Sequence, residues 1–378
     1  MLNLAIFYGG KSVEHDISII TAIQVMKNLD KDKYNITPIY VDENNNWSVL
    51  DNYLDMNIYA NKKYKGIMLA CGMDKGYLIK KSVVGYKKYR KIDVAINCMH
   101  GLNGEDGTLA GLLELNNIAY VGSGVLASSI GMDKVIQKDV LKTNNLPVVN
   151  YMYFLKKDYT DNKEDILNKI EDKINYPIVV KPANLGSSIG INISKNRKEL
   201  QKNIEIALNF DKKIIIEEKI NNLREINCSV IGGNNYVETS VLEEPKNWET
   251  FLDFNEKYLN NGQNKKEINV KLGDGIDDKI KDLSIKVFKL FGASGVARID
   301  YLLDDKTKEI YINEINTVPG SFANYLWKDK YTFSGLLDKL IDLAIEEYEY
   351  KNVYKYTYKT DVLKATSFNK IGNKQGKF

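Results

Sequence analysis

The sequence predicts an α/β or α+β protein with mixed sheets and more than one domain, and three observations support this class. The chain has 378 residues, whereas one domain usually takes about 150. Hydrophobic residues make up 44% of the chain, which is enough for several buried cores. Short apolar runs typical of buried strands alternate with stretches whose apolar residues follow the helical period. A disordered chain is therefore excluded.

The elements follow in order from the amino terminus. Residues 2–7 are an apolar run that predicts a buried strand. A glycine pair comes next, and then a helix in which Ile19, Ile23 and Met26 recur at the helical spacing. Further strands, with helical patterns between most of them, are predicted at residues 92–98, 178–182, 213–218, 294–303 and 309–316.

The charge balance disfavours several classes of function. The chain has 53 basic and 50 acidic side chains, a net charge of +3 with both signs interspersed, which is atypical of a dedicated nucleic-acid or membrane-surface binder. The first residues lack a basic leader with a cleavage site, and no stretch approaches the roughly 18 apolar residues of a membrane span. We therefore expect a cytoplasmic protein.

Cysteine and histidine are too sparse for several kinds of site. Cys71, Cys98 and Cys228 are far apart and form no CxxC pair, so neither a disulfide framework nor a thiolate zinc site is expected. The two histidines, His15 and His100, provide no imidazole cluster for a metal and little basis for a Ser/His/Asp triad. Carboxylates, lysines, hydroxyls and backbone amides must carry any chemistry.

The first polar segment, residues 8–18, reads YGGKSVEHDIS and places Glu14 at the start of the first helix. The helix dipole favours an ionised Glu14, which could hold a substrate ammonium group. On this segment alone, a glutamate that serves only the dipole is the preferred interpretation. The segment is not GxGxxG, so a Rossmann dehydrogenase is a weak alternative.

The second segment, residues 100–115, reads HGLNGEDGTLAGLLEL. Its four glycines allow close backbone approach, and His100, Glu105 and Asp106 crowd polar groups beside a helix start. A ligand site and a simple turn with a helix cap fit this segment equally well.

The third segment, residues 176–194, is a strand carrying Lys181, a Gly-Ser-Ser-x-Gly loop and a second strand. Such a loop presents backbone N–H groups and hydroxyls suited to closing over a polyphosphate, and the lysine adds positive charge. It is not a Walker A loop, because GxxxxGK[ST] is absent. A flexible hairpin without a ligand remains the alternative.

The fourth segment, residues 295–320, is the most specific. Residues i and i+2 of a strand share a face, so Arg298 lies beside Asp300, and Glu314 beside Asn316. A hairpin turn with an odd number of residues would place Asp300 opposite Glu314. Two carboxylates and an amide oxygen would then converge, a donor set suited to Mg²⁺. A structural salt bridge of Arg298 with the acids is the alternative, and we rank it below the metal.

Taken in order, these segments resemble the D-alanine:D-alanine ligases of the ATP-grasp superfamily over about residues 1–345. The matching motifs are GGKSVEHDIS, HGLNGEDGTLAGLLEL, GMDK, VVKPANLGSSIGI, EEKINNLREI, DFNEKYL, ARIDYLL and YINEINTVPG. The resemblance implies the ATP-grasp fold with ATP between the last two of three domains. The implied division is an N-terminal α/β domain at 1–122, a central domain at 123–217 and a C-terminal domain at 218–348. The residues that remain, 349–378, are rich in lysine and poor in apolar residues, which predicts a flexible tail.

The resemblance also implies roles for residues at matching positions. Lys134, Lys181 and Ser188 would contact the nucleotide phosphates, Glu218 the adenine edge and Glu225 the ribose hydroxyls. Lysines offset the charge of a triphosphate, and carboxylates accept hydrogen bonds from amino and hydroxyl groups.

The resemblance implies metal ligands and catalytic residues as well. Asp300, Glu314 and Asn316 would hold two Mg²⁺ ions, with Mn²⁺ as an alternative metal. Lys257 would stabilise the transferring phosphoryl group and Arg298 the tetrahedral oxyanion.

The implied amino-acid sites draw on residues from all three domains. Glu14, Ser187 and Tyr258 match a hydrogen-bonded set that would fix the first D-alanine and close loops over it. Further residues that would help to bind the substrates are His100, Gly320 and Tyr325.

The implied function is ATP-dependent joining of two D-alanines through an acyl phosphate, for peptidoglycan precursor synthesis. The implied assembly is a homodimer, with neither nucleic acid nor membrane as partner. Two alternatives remain: a ligase of the same family with D-serine or another acceptor, and a catalytically silent nucleotide-binding sensor.

The identity of the acceptor substrate stays undetermined at this point, because the chain departs from the family pattern at three positions. Tyr325 stands where the family often has a serine that helps to bind the carboxylate of the second substrate. Leu252 and Phe254 stand where tyrosines are common. A polar-to-aromatic change of this kind could shift discrimination by roughly 1–3 kcal/mol.

Overall fold

The computed structural model describes residues 1–60, 67–74, 76–246 and 265–360. The predictions for Lys257, Tyr258, Leu252 and Phe254 lie outside the described residues, as does most of the predicted tail. Among the described residues, no helix combines the length and apolar character needed to span a membrane.

The first sheet has eight strands in the order β6-β5-β4-β3-β2-β1-β7-β8. Its strands are β1 (Leu2–Gly9), β2 (Tyr34–Val41), β3 (Trp47–Val49), β4 (Ile67–Asp74), β5 (Tyr77–Lys81), β6 (Tyr86–Lys91), β7 (Val94–Asn97) and β8 (Ala119–Val121). The pairs among β2, β1, β7 and β8 are parallel, and those from β2 to β6 are antiparallel. Its helices are α1 (His15–Asn28), α2 (Met56–Ala60) and α3 (Thr108–Leu115). The strands expected near 2–7 and 92–98 are thus confirmed.

The second sheet is antiparallel, in the order β11-β10-β12-β9. Its strands are β9 (Tyr151–Leu155), β10 (Ile178–Pro182), β11 (Asn192–Ser194) and β12 (Lys213–Glu218). The neighbouring helices are α4 (Val125–Met132), α5 (Lys134–Thr143), α6 (Lys156–Asp161), α7 (Lys163–Lys173) and α8 (Arg197–Ala207). Apolar residues of α7 and α8, such as Leu167 and Ile204, pack with Ile178 and Ile214 of the strands to form its core.

The third sheet is also antiparallel, in the order β15-β14-β13-β16-β17. Its strands are β13 (Leu223–Gly232), β14 (Val237–Lys246), β15 (Lys265–Ile268), β16 (Gly295–Asp304) and β17 (Ile310–Asn316). Helix α9 (Ile276–Leu290) covers one face, so the other face is left for the site. A 3₁₀ helix (Gly320–Leu326) and α10 (Phe333–Asn352) complete the described chain.

The last helix returns to the first sheet. Leu337 and Leu340 of α10 share one apolar core with Leu4 and Ile6 of β1. Helix α10 continues to Asn352, so its last residues fall within the range predicted for the tail. The three-domain division itself stays a prediction.

The hairpin of β16 and β17 pairs its residues as expected, but for a different reason. The last pair of the hairpin is Leu303 and Ile310, and the six residues between them, 304–309, are an even number where an odd number was expected. The register shifts by one residue beyond the pair Tyr301 and Ile312. Asn313 is the extra residue of this β-bulge, and it brings Asp300 opposite Glu314 and Arg298 opposite Asn316.

Candidate active site

A single cleft of about 780 Å³ brings together the predicted site residues that lie in the described part of the chain. Strands of the second and third sheets form its walls, together with helix α1 and the loop that carries His100 and Glu105. The predicted residues that line it are Glu14, His100, Lys134, Lys181, Ser187, Ser188, Glu218, Glu225, Arg298, Asp300, Glu314, Asn316, Gly320 and Tyr325.

One part of the cleft is an apolar slot between the second and third sheets. Its apolar lining residues include Val179, Ile191, Ile193, Leu223 and Leu302. Glu218, at the end of β12, and Glu225, on β13, also line the cleft. An apolar slot with a few polar groups suits a planar base and its sugar.

Two lysines extend from the slot toward the third sheet. The Lys134 Nζ lies 2.9 Å from Glu314 Oε2 and donates to the Leu185 carbonyl at 2.9 Å. The Lys181 Nζ lies 2.6 Å from Glu217 Oε2 and donates to Asn313 Oδ1 at 3.2 Å. Burial lowers the pKa of Lys134, but Glu314 outweighs it and raises the pKa above its usual value. The lysine therefore stays charged in the cleft.

A ring of buried polar groups fixes Lys181, and sequence reasoning did not identify it. The Lys138 Nζ lies 3.3 Å from Glu217 Oε1 and donates to the Asn313 carbonyl at 3.1 Å. Lys138 and Glu217 are almost completely buried. The ring joins α5, β10, β12 and the bulge of β17, so it ties together the two sheets that flank the slot.

Glu217→Gln is expected to lower the free energy of unfolding by about 3–5 kcal/mol, because two buried ammonium groups would lose their shared anion. Asp165→Asn, which removes the exposed ion pair with Lys169, should cost less than about 1 kcal/mol. Urea denaturation of both variants measures the difference. Equal losses would contradict a structural role for the ring.

The same carboxylate predicts a pH dependence. Burial raises the pKa of Glu217, but the positive charges of Lys138 and Lys181 together outweigh burial and lower the pKa to about 2. Because the ordinary value is 4.5, the stabilisation is present above about pH 4.5 and is lost as the pH falls toward 2. The stability difference between wild type and Glu217→Gln should shrink over this interval.

The hairpin residues form a compact charged group on the cleft face. The Arg298 guanidinium donates to Asp300 through Nε at 2.6 Å and a second nitrogen at 2.7 Å. Burial raises the pKa of Asp300, and Glu314 raises it further, against the opposing effect of Arg298. Burial also raises the pKa of Glu314, but Lys134 outweighs it, and the net value is about 2.

These residues fit a divalent cation. Asp300 and Glu314 are cross-strand neighbours whose mutual repulsion a cation would relieve, and Asn316 adds an amide oxygen on the same face. Among the described residues, no group of three or more His, Cys, Asp or Glu is arranged for a metal. The set therefore depends on further oxygen ligands, such as those of phosphates. The salt-bridge alternative is also realised, since Arg298 already pairs with Asp300.

Glu14 contacts a residue far away in the sequence. It occupies the position before α1, but its side chain makes no capping hydrogen bond there. Instead the hydroxyl of Ser187 donates to Glu14 Oε1. The second oxygen, Oε2, is buried and has no hydrogen-bond partner among the described residues. A glutamate that serves only the helix dipole would not be placed in this way.

Burial raises the pKa of Glu14, and Glu105 raises it further. A bound ammonium group would offset both effects and donate to the Oε2 atom. Ser187 and Ser188 have positive φ angles of 54° and 59°, so the loop that reaches Glu14 has an uncommon backbone conformation.

His100 lies beside Glu14 in the second segment. Its Nε2 is 2.9 Å from the Thr21 hydroxyl, and its Nδ1 is 3.8 Å from Glu105 Oε1. Burial lowers the pKa of His100, but Glu105 and Glu14 raise it above the usual value. Asp106 accepts from the backbone N–H groups of residues 103 and 108, so the turn-and-cap alternative also holds for part of this segment.

Two further residues of the cleft, Glu243 and Asn227, were not predicted. Glu243 Oε2 accepts hydrogen bonds from the Tyr325 hydroxyl at 2.7 Å and the Asn227 amide at 3.0 Å. Glu243 lies in a strand that the sequence pattern did not single out. Of the buried ring, the sequence offered one sign: Lys138 stands one helical turn after Lys134, so both lysines lie on the same face of α5.

Comparisons with known proteins identify the family. Two family models match: "D-ala D-ala ligase N-terminus" over residues 3–123 and "D-ala D-ala ligase C-terminus" over residues 140–342. A D-alanine–D-alanine ligase of Thermosipho africanus is 40% identical, with 96% of this chain and 98% of that protein covered.

Solved structures agree as well. The D-alanine–D-alanine ligase of Coxiella burnetii superposes with a TM-score of 0.79 at 27% identity, covering 93% of this chain and 96% of that one. The VanG D-Ala:D-Ser ligase of Enterococcus faecalis has a TM-score of 0.75 at 29% identity, with 91% and 99% covered.

The second and third sheets, with a cleft between them that is lined by lysines and carboxylates, define an ATP-grasp enzyme. The predicted fold is thereby confirmed. Within that class, the family models and the relatives are decisive: the chain belongs to the D-alanine–D-alanine ligase family.

Proposed function

We propose that the protein joins two D-alanines into D-alanyl-D-alanine, a peptidoglycan precursor, with conversion of ATP to ADP and phosphate. The observation that carries this proposal is the convergence in one cleft of three groups. These are the Glu14–Ser187 pair, the two lysines and the Arg298–Asp300–Glu314 group.

The nucleotide fits the slot between the second and third sheets. Its base would lie among the apolar residues, with Glu218 at the amino edge and Glu225 at the ribose. The phosphates would extend toward Lys134 and Lys181, with Ser188 in the loop above them. Lys181 could exchange its contact with Glu217 for a phosphate oxygen, because Lys138 still neutralises that carboxylate.

Divalent cations would be held by Asp300, Glu314 and Asn316. When bound, Mg²⁺ or Mn²⁺ supplies charge neutralisation and orientation of the phosphates. The protein itself contributes the cleft, the lysines and the exclusion of water.

The first half-reaction activates a carboxylate. The first D-alanine would place its ammonium group at Glu14, and one of its carboxylate oxygens would attack the γ-phosphorus. The bond from that phosphorus to the β-phosphate bridging oxygen breaks, and ADP leaves. The product is an acyl phosphate, which is a far better acylating agent than a carboxylate.

The second half-reaction forms the peptide bond. The acceptor ammonium group loses a proton to solvent, and its nitrogen attacks the acyl carbon to give a tetrahedral oxyanion. The same nitrogen releases a second proton to solvent as the amide forms. Arg298 donates two of its five N–H groups to Asp300, and its other N–H groups would donate to the oxyanion. Expulsion of inorganic phosphate completes the reaction.

The role of D-serine as acceptor is a second candidate, because Tyr325 replaces a residue type that the family uses at the second substrate. The structural likeness to a D-Ala:D-Ser ligase is in line with it. A silent nucleotide sensor is disfavoured, since the lysines and hairpin carboxylates are present and face the cleft.

Measurement of ADP release by the full chain with Mg²⁺ and ATP tests the proposal. We expect release with D-alanine, little with L-alanine, and D-alanyl-D-alanine as the product by mass spectrometry. Higher kcat/KM with D-serine as acceptor would favour the second candidate. No ADP release with any D-amino acid would contradict the ligase function.

Assembly and location are further proposals. The family resemblance implies a cytoplasmic homodimer. Light scattering of the purified chain tests the dimer, and fractionation of the native cells tests the location.

A further inference from the structure

Glu243 is a buried carboxylate on β14, two strands away from the hairpin strand β16, and the proposed reaction gives it no role. The antiparallel register places Glu243, Asn227, Asp300 and Glu314 in one row across strands β14, β13, β16 and β17. Glu243 is only 1% exposed and lines the cleft. The row therefore extends from the predicted metal ligands to a second acidic group on the same face.

The hydrogen bonds of Glu243 determine how Tyr325 can contact a ligand. The Tyr325 hydroxyl donates to Glu243 Oε2, and the Asn227 amide donates to the same atom. A phenol has one hydrogen, so an oxygen that donates to a carboxylate can only accept from other groups. A serine at this position could instead donate its proton to a substrate carboxylate.

The pair also lies close to Arg298. Burial lowers the pKa of Arg298, but Asp300 raises it, and Tyr325 and Glu243 raise it further. Tyr325 stands at the end of the 3₁₀ helix that closes this side of the cleft. The pair thus lies beside the guanidinium that would stabilise the tetrahedral oxyanion. Lys134 lies on the opposite side of Arg298, next to Glu314 of β17.

We propose that Glu243 is a positioning residue that holds the Tyr325 hydroxyl as a hydrogen-bond acceptor, and that the pair makes the acceptor site select an amino acid over a hydroxy acid. This inference rests on the proposed ligase function. An ammonium group carries positive charge and three donors, so it is attracted to a phenolic oxygen backed by a carboxylate. A hydroxyl is neutral and has one donor, and it gains less from the same pair. The acceptor carboxylate would lie toward Arg298.

The test uses the full chain with two variants of the pair and two matched controls. Glu243→Gln keeps the size of the side chain and removes its charge, and Tyr325→Phe keeps the ring and removes the hydroxyl. The controls are Glu238→Gln and Tyr331→Phe. They alter a second Tyr–Glu hydrogen bond of 2.6 Å that involves the same strand, β14, but lies outside the cleft.

Each enzyme is assayed with ATP and Mg²⁺ in a mixture of D-alanine and D-lactate, and the dipeptide and the ester product are counted by mass spectrometry. We expect each variant of the pair to raise the ester-to-dipeptide ratio about tenfold and the KM of the acceptor D-alanine by a similar factor. The KM for ATP should stay within about twofold, and both controls should match the wild type.

The outcomes separate the two proposals. If the wild type forms dipeptide and both variants keep its product ratio and acceptor KM, the role of the pair is wrong and the ligase function stands. The same holds if the controls change the ratio as much as the variants do, because the effect is then structural. If the wild type forms no dipeptide, the ligase function fails, and this inference fails with it.

Discussion

Glu314→Gln is expected to lower Mg²⁺-dependent ADP release by about a hundredfold or more while the fold survives. The amide keeps the size of the side chain but removes a charge directly opposite Asp300 in the hairpin register. The cations that would neutralise the phosphates then lose a ligand. Lys134 loses its ion pair but keeps its hydrogen bond to the Leu185 carbonyl, so the local structure should remain.

The measurement is the rate of ADP release as a function of Mg²⁺ concentration, together with the thermal unfolding midpoint. The half-saturating Mg²⁺ concentration should rise by about tenfold or more. Glu309→Gln, an exposed change just before the start of the same strand, is the control and should behave as the wild type. A variant with unchanged rate and unchanged Mg²⁺ dependence would remove Glu314 from the metal ligands.

Arg298→Lys is expected to lower kcat by about a hundredfold with little change in the KM for ATP. A lysine keeps the positive charge beside Asp300, but it cannot make two parallel hydrogen bonds and also donate to a developing oxyanion. Loss of one donor aimed at an oxyanion typically costs a factor of about 10² to 10³ in kcat. The deficit should therefore appear in the rate of the chemical steps and leave nucleotide binding nearly intact.

Arg224→Lys provides a matched control for this variant. Arg224 forms the same two-nitrogen contact, with Glu244 at 2.8 and 2.7 Å, in the same sheet but outside the cleft. The control should lose a little stability and keep its kcat. An Arg298→Lys enzyme with a normal kcat and a much higher KM for ATP would show that this residue binds the nucleotide and has no role at the oxyanion.

The acceptor pair has a consequence for the comparison of D-alanine with D-serine. Both carry an ammonium group, so the Glu243–Tyr325 pair does not by itself distinguish them. What it would exclude is a hydroxy acid. Discrimination between the two amino acids must then come from the space around the acceptor side chain.

Several features of the site followed from the sequence because they are local. Side chains alternate along a strand, so the sequence alone placed Arg298 beside Asp300 on one face, and the structure confirms this arrangement. The loop containing Ser187 and the helix start at Glu14 were likewise recognisable from glycines and polar residues that lie close together in the chain. The class of fold and the family could therefore be predicted from such local motifs.

Only the tertiary structure decided which distant segments contact each other and which of the contacting groups are buried. Glu14 meets Ser187 across 173 residues, and the Lys138–Glu217 ring and the Glu243–Tyr325 pair also join separate elements. In a strand, Glu217 and Glu218 point to opposite faces, and no local pattern says which face is buried. The bulge at Asn313 is equally invisible in the sequence, although it places Asp300 opposite Glu314. Such features depend on how whole sheets pack, because the charge of a buried group is tolerated only where another segment supplies its partner.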